Sequence, residues 1–176
     1  MDNELIEILE NWQEPITDRV AQDALDAKLG IDNSKGFFQA VDWNRIKGNQ
    51  TVVKSLMDYW NNIVVVIVDV YVHTQTGTQE LATDDSWITD IDMNNIAQNI
   101  ITLADAFPYS ITNYVIPKTS YIGGLGATAT SPDWSDINTL ETDIKLLYDL
   151  IYGSISMWRY SGEVICSSDS EQIDVL

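Results

Sequence analysis

Few residues in this chain are of the types that carry chemistry, and their spacing argues against a reaction. His73 is the only histidine and Cys166 the only cysteine. A Ser-His-Asp triad would need His73 beside a nucleophile elbow, and no G-x-S-x-G occurs. One Cys and one His cannot supply the clustered ligands that zinc needs. Asp84-Asp85 would suit Ca²⁺, yet no D-x-[DN]-x-[DN]-G loop with its closing Glu surrounds them. Gly123-Gly124-Leu125-Gly126 lacks the Gly-Lys-Ser/Thr of a phosphate loop and the G-x-G-x-x-G of a dinucleotide site. Carboxylate pairs for glycoside cleavage are so abundant in an acidic chain that no pair stands out. The sequence is read as non-enzymatic, with no metal and no cofactor.

What must be positioned is therefore a set of helices. The stretch 42–60, DWNRIKGNQTVVKSLMDYW, returns as DMNNIAQNIITLADAF at 92–107 and DINTLETDIKLLYDLI at 136–151. Counted from the opening Asp, position +2 is always Asn (Asn44, Asn94, Asn138). Position +7 is Asn49, Asn99 and Asp143. Copies two and three carry apolar residues at +1, +4, +8, +11 and +15, which is one stripe on a helix. The first copy has Gln50 at +8. The opening Asp, or the residue before it, is expected at the N-cap, where an acceptor meets orphan backbone N–H groups. Three such stripes must bury one another, so Ile96, Ile100, Leu103, Leu140, Ile144 and Leu147 are expected to share a core with Ile46 and Val53. The +7 side chains are expected at the stripe margin, bonding a neighbouring helix or loop.

The expected fold is mainly α. It is a small bundle of three related helices at about 42–61, 90–107 and 135–152, with N-terminal helices. A minor β element is expected at about 63–73, where IVVVIVDVYVH is rich in β-branched residues. A helix over about 17–29 is expected to face Val20, Ala24, Leu25 and Leu29 inward, with Gly30 as its C-cap and a Lys35–Phe38 loop after it. Gly153 is expected to cap the third repeat helix. Residues 1–153 then form one helical body, with a long loop at 108–133, and residues 154–176 a hairpin or extended C-terminal arm.

Composition bounds the partners. Of 176 residues, 27 are acidic and 9 basic, for a net charge of −18. Such a surface repels nucleic acid and anionic membranes, and neither is expected as a partner. With 45% hydrophobic residues and six Trp the chain can bury a core. Its longest apolar run, 63–68, is too short to span a bilayer, and the acidic start is no signal peptide.

Pro15-Ile16-Thr17-Asp18-Arg19, Lys35-Gly36-Phe37, Asp42-Trp43-Asn44-Arg45-Ile46, Trp87 ahead of Asp92-Met93-Asn94, Asn138-Thr139-Leu140-Glu141 and Arg159-Tyr160-Ser161-Gly162-Glu163 follow one another along the chain. In that order they resemble small structural proteins encoded in the tail regions of phages and prophages of Gram-positive bacteria. The family pattern has Glu where Lys47 stands. The resemblance implies a non-enzymatic virion protein made in the host cytoplasm and placed in the tail. It would be a tail, baseplate or fibre-attachment adaptor that docks other virion proteins and forms a homo-oligomer. A receptor-binding module that stacks aromatic side chains on a host glycan is the alternative. Met157, Trp158, Tyr160 and Val164 of the arm, and Tyr109, Tyr114 and Tyr121 of the long loop, are the candidate partner-binding residues.

Overall fold

A computed structural model describes residues 3–29, 39–83, 85–123 and 130–168, with backbone only for Ala24, Ala27, Lys28 and 158–168. The fold is mainly helical with a small antiparallel sheet. Helix α1 is Asn3–Glu10 and α2 is Ala21–Lys28. The three repeat helices are α3 (Ala40–Asn61), α4 (Asp90–Ala106) and α5 (Trp134–Ser168). Strands β1 (Val72–Thr74) and β2 (Gly77–Gln79) form a hairpin, with Val72 opposite Gln79.

Each of α3, α4 and α5 packs on the other two. The expected shared core is present: Ile46, Val53, Ile96, Ile100, Leu103, Leu140, Ile144 and Leu147 are all buried. Gln50 replaces the isoleucine of the other copies inside that core. Its amide donates to the Ile96 carbonyl at 2.7 Å and accepts from Asn99 Nδ2 at 3.3 Å, so the buried polar group is satisfied.

All three helices start the same way, with the cap three residues ahead of the repeat Asp and not at that Asp or the residue before it. The repeat Asp is the third helical residue, not the cap. Its carboxylate reaches back to the cap residue's N–H: Asp42 to Gln39 at 3.0 Å, Asp92 to Thr89 at 3.2 Å, Asp136 to Asp133 at 3.1 Å. This is the reciprocal capping arrangement, with Asp in the place usually held by Glu or Gln. Helix α3 stops because Asn62 adopts a left-handed conformation (φ 52°) and turns its N–H onto the Asp58 carbonyl. Helix α4 stops before Pro108, which disfavours helical backbone in the residue ahead of it.

Three expectations are corrected. The β element is only the hairpin of β1 and β2. Residues 63–71 are extended but lie outside both strands, because their backbone runs along the helices. The helix expected over 17–29 starts only at Ala21, and Val20, Leu25 and Leu29 are exposed. Residues 12–20 are held extended against the bundle, which leaves α2 outside it. The Gly30 cap and the Lys35–Phe38 loop lie outside the described residues. Finally, α5 does not end at Gly153. The helix continues through it to Ser168, in place of a hairpin or extended arm. Ile151 and Ile155 on either side are buried, so the stripe carries the helix past the glycine. Among the described residues no helix is long and apolar enough to cross a membrane.

Candidate functional site

The polar residues at the +2 and +7 positions of the repeats form a regular chemical feature of the molecule, and all six bond backbone. Three extended straps connect or precede the helices: residues 12–20, 63–83 (interrupted by the hairpin) and 108–122. Each strap is held at two points by the two repeat positions. At +7, Asn49 clamps Gln13, accepting from its N–H at 3.0 Å and donating to its carbonyl at 2.7 Å. Asn99 clamps Val68 in the same way, at 2.8 and 2.9 Å. Asp143 accepts from the Val115 N–H at 3.3 Å. At +2, Asn44 clamps Ala82 (2.7 and 3.0 Å), Asn94 clamps Tyr121 (2.9 and 3.0 Å) and Asn138 clamps Arg19 (3.2 and 2.7 Å).

These six clamps form a closed cycle. The first strap runs from +7 of α3 to +2 of α5. The second runs from +7 of α4 to +2 of α3, and the third from +7 of α5 to +2 of α4. An amide, present at five of the six positions, is the right choice, because one side chain offers both an acceptor and a donor to one residue's N–H and C=O. Two residues past the first clamp of each strap, a buried apolar residue fills the same place: Pro15, Val70 and Pro117.

A buried charge cluster joins the first strap to α3 and α5. Arg19 Nη2 bonds Asp42 Oδ1 at 2.8 Å and Glu141 Oε1 at 3.1 Å. Arg45 bonds both Glu141 oxygens, at 2.9 and 2.6 Å, and also Asp42 Oδ1. Glu141 Oε2 further accepts from the Ile16 N–H at 2.8 Å. Burial alone would lower the pKa of Arg45, but the Glu141 and Asp42 carboxylates outweigh it and hold the guanidinium above its ordinary value. Two cations facing two anions neutralise one another where water cannot, which makes this a structural joint.

His73 sits where the hairpin meets α4. Its Nε2 is 3.0 Å from Asp92 Oδ2, the same oxygen that receives the Thr89 N–H and hydroxyl. The Thr89 hydroxyl bonds the carboxylate and not the imidazole, so this trio lacks the nucleophile-to-base bond of a triad. Among the described residues no group of His, Cys, Asp and Glu could hold a metal ion.

Of the candidate partner-binding residues, four have described side chains. Met157 is exposed on α5. The side chains of Trp158, Tyr160 and Val164 lie outside the described residues. Tyr109 is exposed beside Phe107 and Trp60, with ring centroids 5.8 and 6.3 Å away. Tyr114 is half-buried, and burial, then Asp143 and Asp105, push its hydroxyl pKa up. Tyr121 is a core residue with Lys118 Nζ 4.7 Å from its ring centroid, and burial, then Asp136, raises its hydroxyl pKa. Its ring is not at the surface.

Other large exposed apolar residues stand on the straps. Val64, Val66 and Val68 alternate along the second strap, and Val115 and Ile116 stand on the third. A groove of about 610 Å³ runs between α1 and α3, lined by Glu4, Glu7, Ile8, Val52, Asp58 and Leu81 among others. Sequence reasoning noticed the invariant +2 Asn without assigning it a role. It missed Arg19, Arg45 and Glu141 as a joint, because their partners are remote in sequence. Comparison with family models, with curated proteins and with solved structures finds no match.

Proposed function

We propose that this chain is a non-enzymatic structural component of a tailed phage or phage-like particle, an adaptor in the tail or baseplate that docks neighbouring subunits, its own copies included. The observation that carries the reading is a division of labour among side chains. The Asn residues at +2 and the Asn and Asp residues at +7 are committed to backbone clamps, and Asp42, Arg45 and Glu141 to the buried joint. Among the apolar side chains left outside, Val64, Val66, Val68, Val115 and Ile116 stand on the straps. An extended segment with alternating exposed valines is suited to strand addition by a partner, in which backbone bonds give affinity and side chains give register. The net charge of −18 favours a basic partner surface and disfavours a DNA-facing position. The ordered phage-like motifs from Pro15 to Glu163 supply the setting.

The test is incorporation into particles. Val66→Asp and Ile116→Asp replace exposed residues, so both variants are expected to keep wild-type circular dichroism. Both are expected to be depleted from particles purified from cells that lack the wild-type protein. Normal incorporation of both variants would overturn strap docking, and purified particles without the wild-type protein would overturn the assignment itself.

A further inference from the structure

The clamp cycle has one irregular member. Asn49 and Asn99 present an acceptor and a donor to the strap, whereas their counterpart Asp143 has two oxygens. Its Oδ1 does the acceptor's work on the Val115 N–H. Its Oδ2, corresponding to the amide nitrogen of the other two, is buried and has no hydrogen-bond partner. An ionised carboxylate cannot fill the donor's role, because it only accepts. A neutral carboxyl can, since its hydroxyl is a donor of nearly the same geometry as one amide N–H.

We infer that Asp143 is a proton-operated latch on the third strap: protonated at Oδ2 it grips both backbone groups of Val115, and ionised it loosens that grip. The inference is independent of the reading of the chain as a particle component.

The surroundings support a held proton. Asp143 is 1% exposed. From the strap, Tyr114 faces it, with a buried hydroxyl that also has no hydrogen-bond partner. From α4, Asp105 acts on that same hydroxyl and adds negative charge. From α3 and the first strap, Arg45 and Arg19 are bonded to Asp42 and to Glu141, two residues earlier on α5, and these four charges offset one another there. On α5 itself, Lys145 is turned to Glu14 and Asp149. Among the described residues no cation is bonded to Asp143. Burial raises the carboxyl to about 7, with the Val115 N–H pulling the other way. The linkage sign follows. The folded chain holds a proton that the unfolded chain releases near pH 4, so stability falls as pH rises from about 4 to about 7. Above that range Val115 is held by one bond instead of two.

The test uses the full chain. Carboxyl ¹³C shifts of the wild type are expected to show one aspartate with a midpoint near 7. Amide hydrogen exchange of residues 113–117, corrected for the intrinsic pH dependence, is expected to be about tenfold faster at pH 9 than at pH 6. In Asp143→Asn the amide supplies the donor permanently, and this excess should vanish. A midpoint for Asp143 below 5 would overturn the latch whether or not the variant folds. So would equal pH dependence of exchange in wild type and variant.

Discussion

At the residue scale, the amide at +2 does work that no apolar residue can do. Asn94 satisfies both the N–H and the carbonyl of Tyr121, a residue whose side chain is buried. Asn94→Ala would remove both partners at once and leave two backbone groups bare beside the core. The expected loss is about 1–3 kcal/mol for each group that water cannot reach, measured by urea denaturation. The loss should be accompanied by faster amide exchange around Tyr121, because the strap is released locally. A change within experimental error would mean that the strap is held by packing alone. The three +2 positions were visible in the sequence as an invariant Asn. Their role was not, because Asn44, Asn94 and Asn138 bond residues 38, 27 and 119 positions away.

At the element scale, the helices were legible where a 3.6-residue stripe runs unbroken. Ile96, Ile100 and Leu103, like Leu140, Ile144 and Leu147, fall where periodicity puts them. Legibility failed where one local signal had to be weighed against distant contacts. Gly153 reads as a stop, yet helix α5 continues through it, since glycine permits a helix end without imposing one. The β-branched run at 63–71 reads as a strand, yet it finds a clamp on α4 in place of a strand partner. Gly153 provides a sharp check. A Cβ added there meets nothing within 4 Å. Gly153→Ala is therefore expected to stabilise the protein by about 0.5–1 kcal/mol, the usual gain for alanine over glycine inside a helix. The sign decides the matter: a glycine serving as a left-handed helix cap would make the same substitution destabilising in thermal or urea unfolding.

At the scale of the whole molecule, three helices and three straps form a ring of interdependent parts, and the hairpin is an insertion in that ring. The clamped residues of the first strap, Gln13 and Arg19, are six apart, and so are Val115 and Tyr121 of the third. Those of the second, Val68 and Ala82, are fourteen apart. The difference is the length of the hairpin, residues 72–79. Removing those eight residues would join Tyr71 to Glu80 and leave Val68 and Ala82 six apart, the span that the other two straps already bridge. Val70 would keep the place that Pro15 and Pro117 occupy. The deletion also removes the buried Val72, the His73–Asp92 bond, the two backbone bonds between His73 and Trp87 and the Gln79 side-chain bonds, so it carries a cost. Loss of a buried valine and these polar contacts amounts to about 3–7 kcal/mol, against a reserve of about 5–15 kcal/mol in an ordinary domain. The shortened chain is expected to fold cooperatively with wild-type helix content, at a lower midpoint in urea. The amides of Val68 and Ala82 should remain protected from exchange, because Asn99 and Asn44 still clamp them. A shortened chain that folds with Val68 protected and Ala82 open would show that the second strap is not equivalent to the others. A chain that fails to fold would make the hairpin an essential part of the body instead of an insertion in it.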